Sequence, residues 1–331
     1  MKRWDWTWEE PRSSKRVPSD TDAKVTDVEV LAGPLTGSAQ AVRSFRRRRA
    51  GAGLALLAIL VLLFAAIGSS GGSHSTRSKA SARNTGQAAV PRLTPAEDRA
   101  LVHRAEEKAI DSVLSYTPTV VSGGGKGNEV ALTFDDGPGP YTQRLVSVLE
   151  AMHVPATFFV VGEEERYFSA GTLQQLRGGF IVGDHTETHP MMATLSPHDQ
   201  REQLLEQVYR LELLGAPIPR LFRPPYGSFN ATTLKELHAQ HMLMILWSTD
   251  TGDFAKPGTE VIVQRALEGA HPGAIILMHD AGGDRSETIA ALPAIVRGLR
   301  KRGLRPVTVP RLMLDDPPPR GQKIPTGLAG G

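Results

Sequence analysis

Val130-Ala131-Leu132-Thr133-Phe134-Asp135-Asp136-Gly137-Pro138 is a short apolar run that stops abruptly at two carboxylates and a Gly-Pro turn. A run of this length, bounded by turn residues, reads as a buried strand over 130–134. Comparable runs recur at 156–161, 180–182, 221–223, 242–247, 274–278 and 305–309. Amphipathic helical stretches separate them, for example 143–152, 197–214, 232–240, 261–268 and 287–302. Strand–helix alternation needs crossover connections, and so a parallel α/β sheet. About seven such units fit an open doubly wound sheet or a closed barrel, and periodicity does not choose between them.

The polar residues fall in one kind of place. Asp135 and Asp136 follow the first run, His185 and His189 the third, and Asp250 and Asp253 the fifth; Arg223 ends the fourth and His279 follows the sixth. All are at C-terminal strand ends, which share one face in parallel α/β folds and carry the site. Each motif alone has a plain alternative. Asp-Asp-Gly-Pro is good turn chemistry, Arg223 ahead of Pro224-Pro225 suits a structural ion pair, and a single histidine on a buried strand is commonly structural.

His185 and His189 are spaced i, i+4. On a helical turn their Cβ atoms would lie about 5–6 Å apart, close enough to share one metal ion. The residue after His185 is Thr186, so the glutamate base of the zinc-protease pattern is missing. Neighbouring side chains on an extended segment point apart, which predicts different tasks for Asp135 and Asp136. The fixed charge of Arg223 suits orienting a carboxylate.

In this order the stretches Thr133–Gly137, His185–His189, Arg223-Pro224-Pro225-Tyr226-Gly227, Asp250-Thr251-Gly252-Asp253-Phe254 and Ile275–His279 resemble the motifs of polysaccharide deacetylases with a NodB-type homology domain, of the carbohydrate esterase family 4 type. The resemblance covers about residues 128–310. It implies a distorted (β/α) barrel and the removal of N-acetyl groups from a polysaccharide, with release of acetate. It assigns a divalent metal, zinc first and cobalt or another ion as alternatives, to Asp136, His185 and His189. It makes Asp135 the general base, His279 the general acid and Arg223 the residue that orients Asp135. An acid of the fourth motif tunes His279: Asp253 is favoured, with Asp250 nearby. The backbone N–H of Tyr226 would receive the oxyanion. Two departures stand out: Phe254 replaces a common tryptophan, and Thr186 a common serine. The first alters the wall of the acetyl pocket.

Upstream, the run Arg46–Arg49 precedes residues 51–68, which carry no charge and include Leu54, Ile59, Leu60, Val61, Leu62, Leu63 and Phe64. About 17–25 apolar residues span a bilayer. The flanking arginines set the N-terminus inside and the remainder outside. The expected organisation is therefore a disordered cytoplasmic tail (1–49), a single-pass signal-anchor helix (50–68), a linker with a helix at about 95–114 (69–127), the catalytic domain (128–312) and an irregular tail (313–331). A cleaved secretory leader is the alternative to an anchor, and it too places the domain outside the cell membrane. The basic run against an apolar segment favours membrane over nucleic acid as partner.

The chain has 331 residues, a net charge of +3 and no cysteine, which excludes disulfides, thiolate metal sites and a catalytic thiol. Peptidoglycan, chitin-like oligomers, exopolysaccharide and xylan all lie within the implied substrate range, and an envelope location favours the first. Three rivals stay open: an O-acetyl esterase acting on a xylan-type polymer, a barrel glycoside hydrolase and an inactive carbohydrate-binding relative. The glycosidase needs paired carboxyls but no histidine pair.

Overall fold

The computed structural model describes residues 94–323. Its first half comprises α1 (Pro95–Leu114), β1 (Thr119–Val120), β2 (Glu129–Gly137), α2 (Thr142–Ala151), β3 (Thr157–Val160), α3 (Glu165–Arg177), β4 (Ile181–Asp184) and α4 (Pro197–Leu213). Then come β5 (Leu221–Phe222), α5 (Ala231–Gln240), β6 (Leu243–Ile245), β7 (Thr249–Asp250), α6 (Thr259–Glu268), β8 (Ile275–His279), α7 (Ser286–Lys301), β9 (Arg305–Val307) and α8 (Val309–Asp315). The strands form one parallel sheet in the order β1-β6-β5-β4-β3-β2-β8-β7, with β9 beside the start of β2. The edge strands β1 and β7 do not pair with each other among the described residues. The architecture is thus a curled parallel half-barrel, consistent with a distorted barrel.

Alternation along the strands sorts side chains to the two faces. Val130, Leu132 and Phe134 of β2, Phe158 and Val160 of β3, and Ile276 and Met278 of β8 pack outward in one cluster with Leu145, Leu149, Leu292 and Ile295 of α2 and α7. Phe134 and Phe158 stack at 5.1 Å within it. Truncating either fully buried ring to alanine costs ~3–5 kcal/mol in typical cores. The other parity faces inward: Ala131, Phe159, Leu221, Leu243, Ile245 and Ile275 form a second cluster inside the curl. Carried two or four residues further, the inward parity reaches Asp135 on β2, Arg223 just past β5 and His279 on β8. Register finishes the placement by setting Asp135 opposite His279.

Three expectations need correction. The helix in the supposed linker is part of the domain: Ile110 and Val113 are buried with Val309, Leu312 and Met313, and Arg220 pairs with Glu107 and Asp111. The sheet itself begins before residue 128, since β1 pairs with β6. Nor is the C-terminal segment wholly irregular. The Asp316 carboxylate accepts the N–H groups of Gly125 (2.7 Å) and Lys126 (3.2 Å), and Gln322 Oε1 accepts that of Val121 at 2.9 Å. These links join residues far apart in the chain, so no local pattern announces them. The proposed anchor, the tail before it and the spacer up to residue 93 lie outside the described residues. Among the described residues no helix is long and apolar enough to cross a membrane.

Candidate active site

The β2 strand changes register between Asp135 and Gly137, and Asp136 has φ 72°. Such a bulge re-aims a side chain. Both carboxylates consequently reach the same imidazole: His185 Nε2 lies 3.5 Å from Asp136 Oδ1 and 3.8 Å from Asp135 Oδ2. The expectation that they point apart is corrected, because residue 136 is not extended. A second correction concerns the histidines. Residues 185–189 form a loop, not a helical turn, and Thr186 (φ 71°) and His189 (φ 56°) take left-handed conformations. That path brings the rings 4.9 Å apart and sets His189 Nε2 3.1 Å from Asp136 Oδ1. Asp136, His185 and His189 each offer a ligand atom, all within 4.8 Å of one another.

Partners behind the ligands orient them. His185 Nδ1–H donates to the Arg223 carbonyl at 2.6 Å, so in the neutral ring the lone pair is on Nε2, toward the carboxylates. The Tyr226 hydroxyl lies 3.2 Å from His189 Nδ1. Burial alone would raise the Asp136 carboxyl, but the imidazoles of His189 and His185 more than offset it and hold it well below the usual carboxylate range. An anionic oxygen and two neutral imidazoles suit zinc or a similar divalent ion.

Arg223 is fully buried. Its Nη1 donates to Asp135 Oδ1 (2.7 Å) and Thr133 Oγ1 (2.8 Å), while Nε and Nη2 donate to the carbonyls of Ile245 and Leu246 at 3.1 Å. The guanidinium also lies 4.2 Å from the Phe159 ring centroid. Burial pulls its pKa down, opposed by Asp135. Its donors are spent on fixed acceptors, and Asp135 is aimed by a group that cannot rotate away.

On the facing strand, His279 Nδ1–H donates to Asp253 Oδ1 at 2.7 Å. Asp253 Oδ2 accepts the His279 backbone N–H (2.9 Å) and the Thr288 hydroxyl (2.7 Å). Burial would lower the His279 pKa, but the Asp253 charge and hydrogen bond outweigh it, and the ring is raised to about 9. Asp250 stands apart: it is exposed and caps the N–H of Gly252 at 2.8 Å. Of the two acids, only Asp253 touches His279. Phe254 (56% exposed) meets the His279 ring edge-on at 5.9 Å, and with Tyr226 it forms an open aromatic rim.

Several contributors escaped the sequence reading. Thr133 bridges Arg223 to the Ile276 carbonyl. Buried Arg285 donates to the carbonyls of Asp253 (3.2 Å), Ala281 (2.6 Å) and Gly282 (2.7 Å), pinning the loop after β8 against the fourth motif. A basic residue that serves only carbonyls leaves no charge-pairing signal in sequence. A cavity of about 320 Å³, lined in part by His153, Arg300 and Arg305, sits at the opposite, N-terminal strand ends and shares no residue with this constellation.

The geometry agrees with comparisons to known proteins. The polysaccharide deacetylase family model matches residues 122–245. A peptidoglycan-N-acetylglucosamine deacetylase of Bacillus cereus is 37% identical over 187 residues, which are 56% of this chain and 87% of that protein. A chitooligosaccharide deacetylase of Sinorhizobium fredii is 34% identical over 203 residues, 57% of this chain and 94% of its own length. Among solved structures, a peptidoglycan N-acetylglucosamine deacetylase superposes with a TM-score of 0.58 at 31% identity, covering 63% of this chain and 97% of that one. The chain belongs to the polysaccharide deacetylase family. It is an enzyme of that class, a hydrolase that removes acetyl groups from a polysaccharide.

Proposed function

We propose that the protein is a metal-dependent N-deacetylase of an N-acetylglucosamine-containing polymer, peptidoglycan first and chitin-like oligomers second. One observation carries this reading: Asp136, His185 and His189 converge within 4.8 Å beside a second carboxylate, Asp135. The names of the relatives support the substrate class. The uncharged segment 51–68 behind Arg46–Arg49 supports placing the domain outside the cell membrane.

Asp136, His185 and His189 would hold the ion, zinc by preference, with positions left open for water and substrate. When bound, such an ion polarises the acetamide carbonyl and lowers the pKa of water toward ~7. Asp135, locked by Arg223, accepts the proton of the attacking water. The N–H of Tyr226 faces the developing oxyanion. His279, held protonated by Asp253, gives its proton to the departing amine, so that free amine and acetate are the products. Phe254 and Tyr226 form the walls that receive the sugar and its acetyl group.

The test is acetate release from purified peptidoglycan, chitin oligomers and acetylated xylan, by chelated enzyme with defined metals added back. Release from the N-acetylated polymers that needs added metal and vanishes in Asp135→Asn and Asp136→Asn supports the proposal. Full activity after chelation, or action on xylan esters alone, refutes it.

A further inference from the structure

A glutamate between two metal-binding histidines has no task in the reaction just described, and here it is almost wholly buried. Glu187 is 2% exposed. Arg210 of α4 grips its Oε1 through Nε (3.0 Å) and Nη2 (2.9 Å), and Arg166 of α3 stands 3.8 Å away. The carboxylate packs so tightly on Gly162 that a Cβ there would lie 2.1 Å from Oε2. The same helix α4 also holds the loop through Gln203. Its carbonyl accepts the Glu187 N–H (3.1 Å), its Oε1 accepts the Thr188 N–H (2.8 Å), and its amide donates to Thr188 Oγ1 (2.9 Å). From the other side, Glu163 N–H donates to the Glu187 carbonyl at 2.8 Å.

This loop needs such support. Thr186 and His189 are non-glycine residues at positive φ, a conformation that persists only where the surroundings enforce it. Residue 187 lies midway between the two ligands, and its side chain is the loop's one charged tie to the helices. Burying an ion pair is a poor way to gain stability, whereas it fixes a register well. We propose that Glu187, clamped by Arg210 and seconded by Gln203, is a positioning residue. It sets the separation and aim of the His185 and His189 imidazoles, and with them the affinity for the ion. The inference rests on the metal reading of the previous section.

The test uses the full chain and two probes, Zn(II) and Co(II), with dissociation constants read by competition against a chelating dye. Glu187→Gln and Arg210→Met should each weaken binding ~10–100-fold, the range seen when partners behind metal ligands are removed. The double variant should bind no more weakly than the worse single one, because the pair acts as one unit. Arg210→Lys should recover part of the loss. The visible Co(II) spectrum of the variants should shift, and activity at saturating metal should return toward that of the unaltered chain. Unchanged affinity in both single variants overturns the proposal. So does a loss that tracks the melting temperature of the metal-free protein and disappears on cooling. Should the unaltered chain itself bind neither ion, the metal reading fails instead, and the two failures are told apart.

Discussion

Replacing Asp253 by asparagine should move the alkaline limit of activity rather than scale activity down evenly. His279 sits at about 9 instead of 6.5, and the chief cause of elevation, against a burial that works the other way, is the charge and hydrogen bond of Asp253. Without that charge the ring falls to its ordinary value or below. At pH 8 a group of pKa 9 is about 0.9 protonated and one of 6.5 about 0.03, so the supply of the acid form drops ~30-fold. At pH 6 the same comparison gives a loss of less than about 2-fold. The ratio of unaltered to Asp253→Asn rate should therefore climb across pH 6.5–9, approaching tenfold per unit. Initial rates of acetate release from a soluble chitin oligomer, at saturating metal from pH 5.5 to 9.5, read this directly. Metal affinity provides the control, because Asp253 touches none of the proposed ligands. A loss that is the same at every pH would refute the assignment of His279 as acid. An unaltered enzyme whose alkaline limb already lies near 6.5 would refute the Asp253 argument.

Two further outcomes follow from buried charge. Arg223→Met strands the Asp135 carboxylate in an interior where its only cationic partner is lost, which costs ~3–5 kcal/mol; a fall of less than about 1 kcal/mol in urea unfolding would contradict that account. Glu165 works in the opposite sense. Burial, with added repulsion from Asp280 and Glu187, raises it from 4.5 to about 7. Its folded pKa is above its unfolded one, so its contribution is most favourable below about pH 4.5 and is lost as pH rises through 7. Glu165→Gln, which keeps an acceptor for the Thr172 hydroxyl, should thus stabilise the protein by up to ~3 kcal/mol at pH 8 and by almost nothing at pH 4. Denaturant midpoints equal to those of the unaltered chain at both pH values would exclude it.

Much was legible in residue order alone. The runs at 130–134, 156–161 and 274–278 are apolar enough, and bounded sharply enough, to be strands anywhere, and their alternation with amphipathic stretches compels parallel pairing. Polar residues at the strand ends then mark the active face, since parallel strands deliver all their C-termini to one side. The two-residue strands Thr119–Val120 and Thr249–Asp250 were not legible, being too short to carry a period. Tertiary structure alone decided the rest. A bulge at Asp136 turns two neighbouring carboxylates toward one imidazole, and left-handed Thr186 and His189 bend a loop that spacing suggested was helical. The choice of Asp253 over Asp250 came from contact with His279, and the grip of Arg210 on Glu187 spans elements with no shared sequence signal. The physical reason is common to all four. Periodicity reports which face of an element is buried, whereas the aim of a side chain is set by backbone angles and by partners that only folding brings within hydrogen-bond reach.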